Sequence, residues 1–287
     1  MPKLGRLSVI ATPIGNLEDL STRAVHTLAE VDLLLCEDTR HSAKLLRHLG
    51  IKVPCRALHA HNELDRCEAY VQLIVQGQHV GLVSDAGTPC LSDPGARLVD
   101  AAHQAGVVVE TIPGPFAVAA GLAASGLNPM PMAFWGFPPK ASTARFRWLS
   151  ARLQPAPGPS VMTHALYVPG RDLVVVLKDL DKLHPDGRVV IARELTKLHE
   201  SYHRGTPAVL AEKLTEQQQR GEAVLLIEVD TFVQGADAEV IDVDSEIRQA
   251  IHAGLDRKPF LRQLAKRTGQ SRRSLYSRWV ALVDLGD

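Results

Sequence analysis

No two cysteines stand as a CxxC pair. The four present, Cys36, Cys55, Cys67 and Cys90, are scattered, so the chain carries neither a zinc motif nor a redox motif, and reduced thiols are expected. No apolar run approaches the ~18–20 residues of a membrane span. The first one, inside MPKLGRLSVIATPIG, is too short and too soon interrupted for a signal peptide. A cytoplasmic protein is the expectation. Neither sign of charge is in excess: Lys plus Arg and Asp plus Glu number 32 each, so total charge gives no argument for a polyanionic partner. The remainder is ordinary for a globular protein, 45% apolar and 22% charged, and 287 residues suffice for two domains with an appendage.

Lys and Arg are also missing from one loop-like stretch, Val83 to Gly95, which reads VSDAGTPCLSDPG. It matches neither GxxxxGK[ST] nor GxGxxG. Asp85 and Asp93 would repel a phosphate. The glycines allow close backbone approach, and the acids suit a cationic or hydroxyl-bearing ligand. S-adenosylmethionine, with a ribose diol and a positive sulfonium, fits that chemistry better than a nucleotide. The alternative is a tight turn that needs its glycines for positive φ.

Short β-like runs alternate with helical patterns. Leu7–Ala11, Leu33–Cys36, Val80–Val83 and Val107–Ile112 read as strands. Helical spacing follows from Ser21, from Ser42 to a stop at Gly50, from Asn62 to a stop at Gly77, and from Asp93-Pro94, where Asp suits the N-cap and Pro the first helical position. Such alternation predicts an α/β fold with a parallel sheet covered by helices, and ligands beyond the carboxyl ends of its strands. Thr12–Asn16, Glu37–Arg40, Ser84–Pro94 and Pro113–Phe116 are four such ends. Strand candidates at Val161–Tyr167, Arg188–Ala192 and Ala223–Val229, with helices near Arg171–Leu180 and Pro207–Arg220, predict a second α/β domain of similar size. An acidic stretch, Asp237 to Asp244, reads as a linker. The expected domains are 1–117, 118–232 and 233–287, the last a linker and a small helical unit.

That last unit is where the charge collects. Between Asp256 and Arg278, eight basic residues face a single acidic one, and Leu261, Leu264, Leu275 and Val280 supply an apolar stripe. A helix–turn–helix with a basic face would grip phosphates; a solvated packing or dimer module is the alternative. Elsewhere, Glu37-Asp38 beside Arg40 reads either as a functional pair or as a cap with its own counter-charge. The dense charge of Arg193–Glu200 reads as functional or as surface ion pairing. His59 and His61 lack a third ligand, and no metal is expected.

Several segments together carry a resemblance: ATPIGNLEDLSTRA (Ala11–Ala24), CEDTRHSAKLL (Cys36–Leu46), HAHNE (His59–Glu63), VSDAGTPCLSDPG, PGP at Pro113–Pro115, ASGL at Ala124–Leu127, ARELTKLHE (Ala192–Glu200) and RGT at Arg204–Thr206. In this order they resemble the ribosomal RNA small subunit methyltransferase I family of the tetrapyrrole methylase superfamily, as does the basic tail. The resemblance implies two α/β domains of tetrapyrrole methylase type with the cofactor cleft between them, plus a small C-terminal helical unit, and a homodimer. It implies S-adenosylmethionine as cofactor and, as substrate, the ribose 2′-hydroxyl of a cytidine in the decoding region of 16S rRNA. It places Pro13, Ser84, Asp85, Thr88, Phe116, Ala117, Val168 and Gly205 at the cofactor.

The chain departs from the family's usual pattern in three places. Phe116 follows PGP where Ser is usual, Trp135 precedes Gly136-Phe137 where Glu is usual, and LYVPGRD (Leu166–Asp172) lacks the usual glutamate. The ribose hydroxyl must lose a proton, and Asp38, Glu37, Lys197 and Glu200 are the candidates to accept it or steady the developing charge. Arg40, Arg262, Lys266, Arg272 and Arg273 are the candidate RNA contacts, with Lys140, Arg145 and Arg147 at the rim. A tetrapyrrole C-methyltransferase and a non-catalytic RNA-binding relative are the rival readings.

Overall fold

The computed structural model describes residues 5–154, 161–230 and 243–268, with positions 275, 276, 278–280 and 282. The chain divides into two compact units, Met1–Thr231 and Phe232–Asp287. Among the described residues no helix is long and apolar enough to cross a membrane.

The first unit holds two five-stranded sheets. The first is built from β1 (Arg6–Ile10), β2 (Leu33–Cys36), β3 (Cys55–Ala57), β4 (His79–Leu82) and β5 (Val108–Ile112), in the order β3-β2-β4-β1-β5. All its pairings are parallel. Helices α1 (Thr22–Glu30), α2 (Thr39–Leu49), α3 (Glu63–Val75) and α4 (Ala96–Gln104) make the crossovers. Both faces are covered, and β2 shows why its sequence is a continuous apolar run: Leu33 and Leu35 enter one core with Leu98 and Ile74, while Leu34 and Cys36 enter the other with Leu28 and Leu46.

Among α1, α2 and α4, helix ends follow local chemistry with one exception. Ser21 caps α1 through its hydroxyl, which accepts from the Ala24 N–H, and Gly50 ends α2 in the left-handed region at φ 68°. Capped by Asp38, α2 begins three residues before the expected Ser42. The exception is α4. It begins at Ala96, not at Asp93-Pro94, and its amides are satisfied from a distance: the buried Glu63 carboxylate accepts from Gly95 N and Arg97 N, each at 3.0 Å. Asp93 is thereby free of capping duty.

The second sheet is laid down by β6 (Met132–Phe134), β7 (Val161–Pro169), β8 (Arg188–Arg193), β9 (Ser201–Gly205) and β10 (Glu222–Asp230), in the order β6-β7-β10-β8-β9. Only β6 and β7 pair in parallel; the other three pairings are antiparallel. Helices α6 (Ser142–Arg152), α7 (Leu173–Leu183) and α8 (Pro207–Lys213) bury one face with Leu166, Val168, Leu225 and Ile227. Helix α5 (Ala117–Ser125) buries the other with Ala165, Val190, Ala192 and Val224. The helix expected to reach Arg220 ends at Lys213, followed by a single turn at Gln217–Gln219.

The second unit contains α9 (Val243–His252) and α10 (Arg257–Thr268), with a core of Val243, Ile247, Ala250, Leu261, Leu264, Leu275 and Trp279. Trp279 takes the core place expected of Val280, which is 37% exposed.

Arg145 does not reach for RNA. Its guanidinium is buried and donates to Asp179 Oδ2 at 2.8 Å, with the two side chains 8% and 11% exposed. Removing one member of a buried pair strands the other, so Asp179→Ala is expected to cost about 3–5 kcal/mol in urea unfolding. A loss under about 1 kcal/mol, the range of surface pairs, would contradict this assignment.

Candidate active site

The carboxyl ends of the first sheet's strands face the second sheet across a cleft of about 560 Å³, within the usual range for small-molecule sites. One wall is Ile14, Glu37, Asp85–Thr88, Leu91–Asp93, Phe116 and Ala117; the other is Phe137, Tyr167, Ala192, Glu194, Leu195, Lys197 and Gly221–Val224.

The first wall is held by its own backbone. Thr12 and Gly87 exchange two hydrogen bonds, N–H to carbonyl at 2.8 and 3.0 Å. The Ser84 hydroxyl is buried and donates to the carbonyls of Ala86 and Gly87 at 3.3 and 3.4 Å. Thr88 Oγ1 donates to the Pro115 carbonyl at 3.0 Å, tying this loop to PGP. Asp85 Oδ1 accepts from Asp38 N at 3.1 Å. Ser84 is therefore a staple inside the loop, while Asp85 and Thr88 line the cleft.

The second wall is a strained hairpin leaving β8. Glu194 and Thr196 have φ of 50° and 65°, in a region non-glycine residues seldom occupy. Glu200 Oε2 accepts from Thr196 N at 2.6 Å and steadies the turn rather than lining the cleft. Lys197 Nζ pairs with Glu194 Oε2 at 3.3 Å, half-exposed at the cleft. Thr196 Oγ1 accepts from Asn16 N at 3.0 Å, joining the two walls.

The charge inside is mostly negative. Burial pushes the Asp93 carboxyl up to about 6, helped by Glu37, Asp85 and Glu222, with the Ser84 hydroxyl pulling the other way. Burial also raises Glu37, with Asp85 adding to it. The Tyr167 phenol is pushed up to about 12 by burial, then by Asp93 and Glu222.

The expected site residues thus separate. Glu37, Asp85, Thr88, Phe116, Ala117 and Lys197 come together in the cleft. Asp38 does not: it caps α2 and chelates the exposed Arg40, Oδ2 to Nη2 at 2.9 Å, which holds its carboxyl down at about 2. A group so acidic is a poor proton acceptor, and Arg40 is its counter-charge. Pro13 is outside the lining. Val168 turns away from it: its side chain is fully buried under α7, and by strand alternation Tyr167 faces the cleft instead. Gly205 sits on the edge strand β9 against Val209 and Leu210. Trp135 faces α6, with Arg152 stacked between it and Trp148, so that departure lies away from the cleft; Phe116 lies in it. Tyr167 and Glu222 are cleft residues that the sequence pattern does not single out as a site, and Asp93 and Glu194, noted there only as members of a loop and of a charge cluster, join them in the lining. Asp93 stands within SDPG, where the local signature is that of a helix cap.

The rings of His59 and His61 lie 6.0 Å apart, and among the described residues no three His, Cys, Asp or Glu side chains are grouped to hold a metal. In the second unit Arg262 lies beside Arg257, Lys258 and Tyr276 along a groove. The side chain of Lys266 and all of Arg272 and Arg273 lie outside the described residues.

Residues 6–230 match the family Tetrapyrrole (Corrin/Porphyrin) Methylases. A Xylella fastidiosa protein named ribosomal RNA small subunit methyltransferase I is 41% identical over 278 residues, 95% of this chain and 98% of its own. The chain belongs to the ribosomal RNA small subunit methyltransferase I family of tetrapyrrole methylases. The Synechocystis protein of that name is 39% identical over 95% of this chain and 96% of its own. The fold of this methyltransferase I family member is that of the Thermus thermophilus uroporphyrin-III C-methyltransferase, whose structure was solved with S-adenosyl homocysteine. The two share a TM-score of 0.54 at 18% identity, over 78% of this chain and 97% of the other.

Methylases of this family depend on S-adenosylmethionine, and the cleft fits it. Glu37, Asp85, Glu194 and Glu222 offer carboxylates to a sulfonium and an ammonium. Ile14, Phe116 and Leu195 offer apolar surface to a purine. At Gly221 the backbone has φ 70°, and an added Cβ would stand 2.9 Å from Glu194 Oε1. Gly221→Ala is expected to destabilise the fold by about 1–2 kcal/mol. It should also weaken S-adenosylmethionine binding several-fold in calorimetry, by displacing Glu194. Unchanged affinity would remove this edge from the binding site.

Proposed function

We propose that this methyltransferase moves the methyl group of S-adenosylmethionine to the ribose 2′-hydroxyl of a cytidine in the decoding region of 16S rRNA. It would act in the cytoplasm as a homodimer. The observation that carries the reading is the extent of the likeness. Identity to the Xylella protein covers 95% of this chain, which takes in the helical unit as well as the two sheets.

S-adenosylmethionine, when bound, supplies a methyl group already activated on a cationic sulfur. The chain's residues supply the remainder. Glu37, Asp85 and Glu222 set a negative field that favours a cation, and Ile14, Phe116 and Leu195 exclude water. The same field repels phosphate, so a sugar can enter the cleft while its flanking phosphates must be held outside it. Lys197, steadied by Glu194, is placed to meet such a phosphate or the oxygen as its proton leaves. Holding hydroxyl and methyl in line supplies much of the rate, on the order of several kcal/mol.

Phosphate binding falls to the basic helical unit. Helix α10 begins with Asp256 accepting from Lys258 N at 3.2 Å, and Arg257 stacks over the exposed Tyr276 ring at 4.8 Å. Arg257, Lys258 and Arg262 share that groove, and Arg272 and Arg273 follow in the sequence. The double variant Arg257→Gln, Arg262→Gln is expected to weaken RNA binding. It should also lower the slope of log affinity against log salt by about 1–2, near 0.7–0.9 for each phosphate no longer neutralised. An unchanged slope would place RNA elsewhere.

The function itself is tested with tritiated S-adenosylmethionine and small ribosomal subunits from cells lacking the enzyme. The expected outcome is label on one cytidine, with that ribose resistant to alkaline cleavage. Label on a base, or on an added porphyrinogen instead of RNA, would contradict the proposal.

A further inference from the structure

We infer that Asp93 is the catalytic base that takes the proton from the attacking ribose hydroxyl, an inference that rests on the 2′-O-methylation proposed above. Three observations bear on it.

The first is position. Asp93 lines the cleft where the two halves meet. Glu37 after β2 and Asp85 after β4 act on it from its own side, and Glu222 of β10 and Tyr167 of β7 from the other. The cleft's one lysine among the described lining residues, Lys197, is engaged with Glu194. No ion pair reaches Asp93 among the described residues. Of the acids expected as proton acceptors, Asp38 is occupied by Arg40 and Glu200 by the Thr196 amide, while Glu37 shares the cleft with Asp93 and is the rival the experiment separates. Asp85 accepts from the Asp38 amide, and Asp93 accepts from the Ser84 hydroxyl.

The second is how Asp93 is held. Cys90 and Ser92, just before it, have φ of 70° and 72°. Such conformations persist only where the surroundings over-determine them, and they gather at functional sites. Here the surroundings include the buried Glu63, which grips Gly95 N and Arg97 N from α3. Asp93 and Pro94 are left to bridge a strained turn and a fixed helix end, with no capping role to explain the aspartate.

The third is proton affinity. Burial and three neighbouring carboxylates raise the Asp93 carboxyl to about 6. It is mostly ionised at neutral pH yet basic enough to accept a proton, the match that general-base catalysis favours. In the step, the ribose O–H bond breaks with the proton passing to Asp93. The O–CH₃ bond forms, the C–S bond breaks, and its electron pair stays on sulfur as the neutral thioether.

The experiment compares wild type, Asp93→Asn, Asp93→Glu and Glu37→Gln. S-adenosyl homocysteine binding is measured by calorimetry, and single-turnover methylation of small subunits is followed from pH 5 to 8.5. Wild type is expected to gain rate with rising pH and then level off, with a midpoint no higher than the free enzyme's value of about 6, because the bound sulfonium favours the carboxylate. Asp93→Asn should lose that limb and about 10²–10⁴ in rate, while S-adenosyl homocysteine affinity changes less than about threefold. Glu37→Gln should keep the limb with its midpoint moved down, because Glu37 is the carboxylate that raises Asp93 most, and Asp93→Glu should recover part of the rate with a shifted midpoint. Without RNA or cofactor, a carbon-13 carboxyl titrating near 6 should be present in wild type and absent from Asp93→Asn.

Retention of the limb in Asp93→Asn overturns the inference, as does its loss in Glu37→Gln alone. A tenfold or greater loss of S-adenosyl homocysteine binding in Asp93→Asn would make Asp93 a cofactor ligand instead. Should Asp93→Asn fail to fold, Asp93→Glu decides: an unshifted midpoint at full rate overturns the assignment. Wild type labelling anything other than a ribose oxygen sinks the functional reading; a labelled ribose with the limb intact in Asp93→Asn sinks only the assignment of the base.

Discussion

A Cβ on Gly15 would stand 2.6 Å from Lys197 Cγ and 2.9 Å from the Leu195 carbonyl, so the loop after β1 can meet the turn after β8 only as bare backbone. The Asn16 amide then reaches Thr196 Oγ1, and Ile14 packs against the second sheet's core. This contact sets the distance between two sheets built on different plans. Everything in the cleft depends on it: Glu37, Asp85 and Asp93 come from one sheet's strand ends, Glu194, Glu222 and Tyr167 from the other's. Neither half carries a binding site alone.

Bringing so many carboxylates together has a cost that the fold carries openly. Asp93 and Glu37 are both shifted toward the neutral acid, chiefly by burial and then by neighbouring carboxylates. A cation bound between them would relieve that repulsion, which ties affinity for a sulfonium to the electrostatic strain of the cleft. The same arrangement disfavours a polyanion.

The first sheet is legible in the sequence because its central strands β1, β2 and β4 are largely buried, β2 being the unbroken apolar run LLLC. The second is legible only as strands and helices. Antiparallel pairing of β7, β8 and β10 is a property of their connections, and VVIA or VLLI reads the same in either direction. Within the site, local signals find the loops and misjudge single residues. Asp93-Pro94 carries a strong helix-start signal, but the real cap is Glu63, 32 residues from Gly95 in sequence. Val168 and Tyr167 differ only by which face of a strand they occupy, which the register decides. Arg145 carries a charge like any surface arginine, and Asp179, its buried partner, lies 34 positions away.

The most direct test of the account is a crystal structure with S-adenosyl homocysteine. The ligand is expected between the two sheets, against Asp85–Thr88 on one side and Gly221–Val224 on the other, with the thioether facing the acids. A ligand bound outside that cleft, or held by one sheet alone, would contradict it.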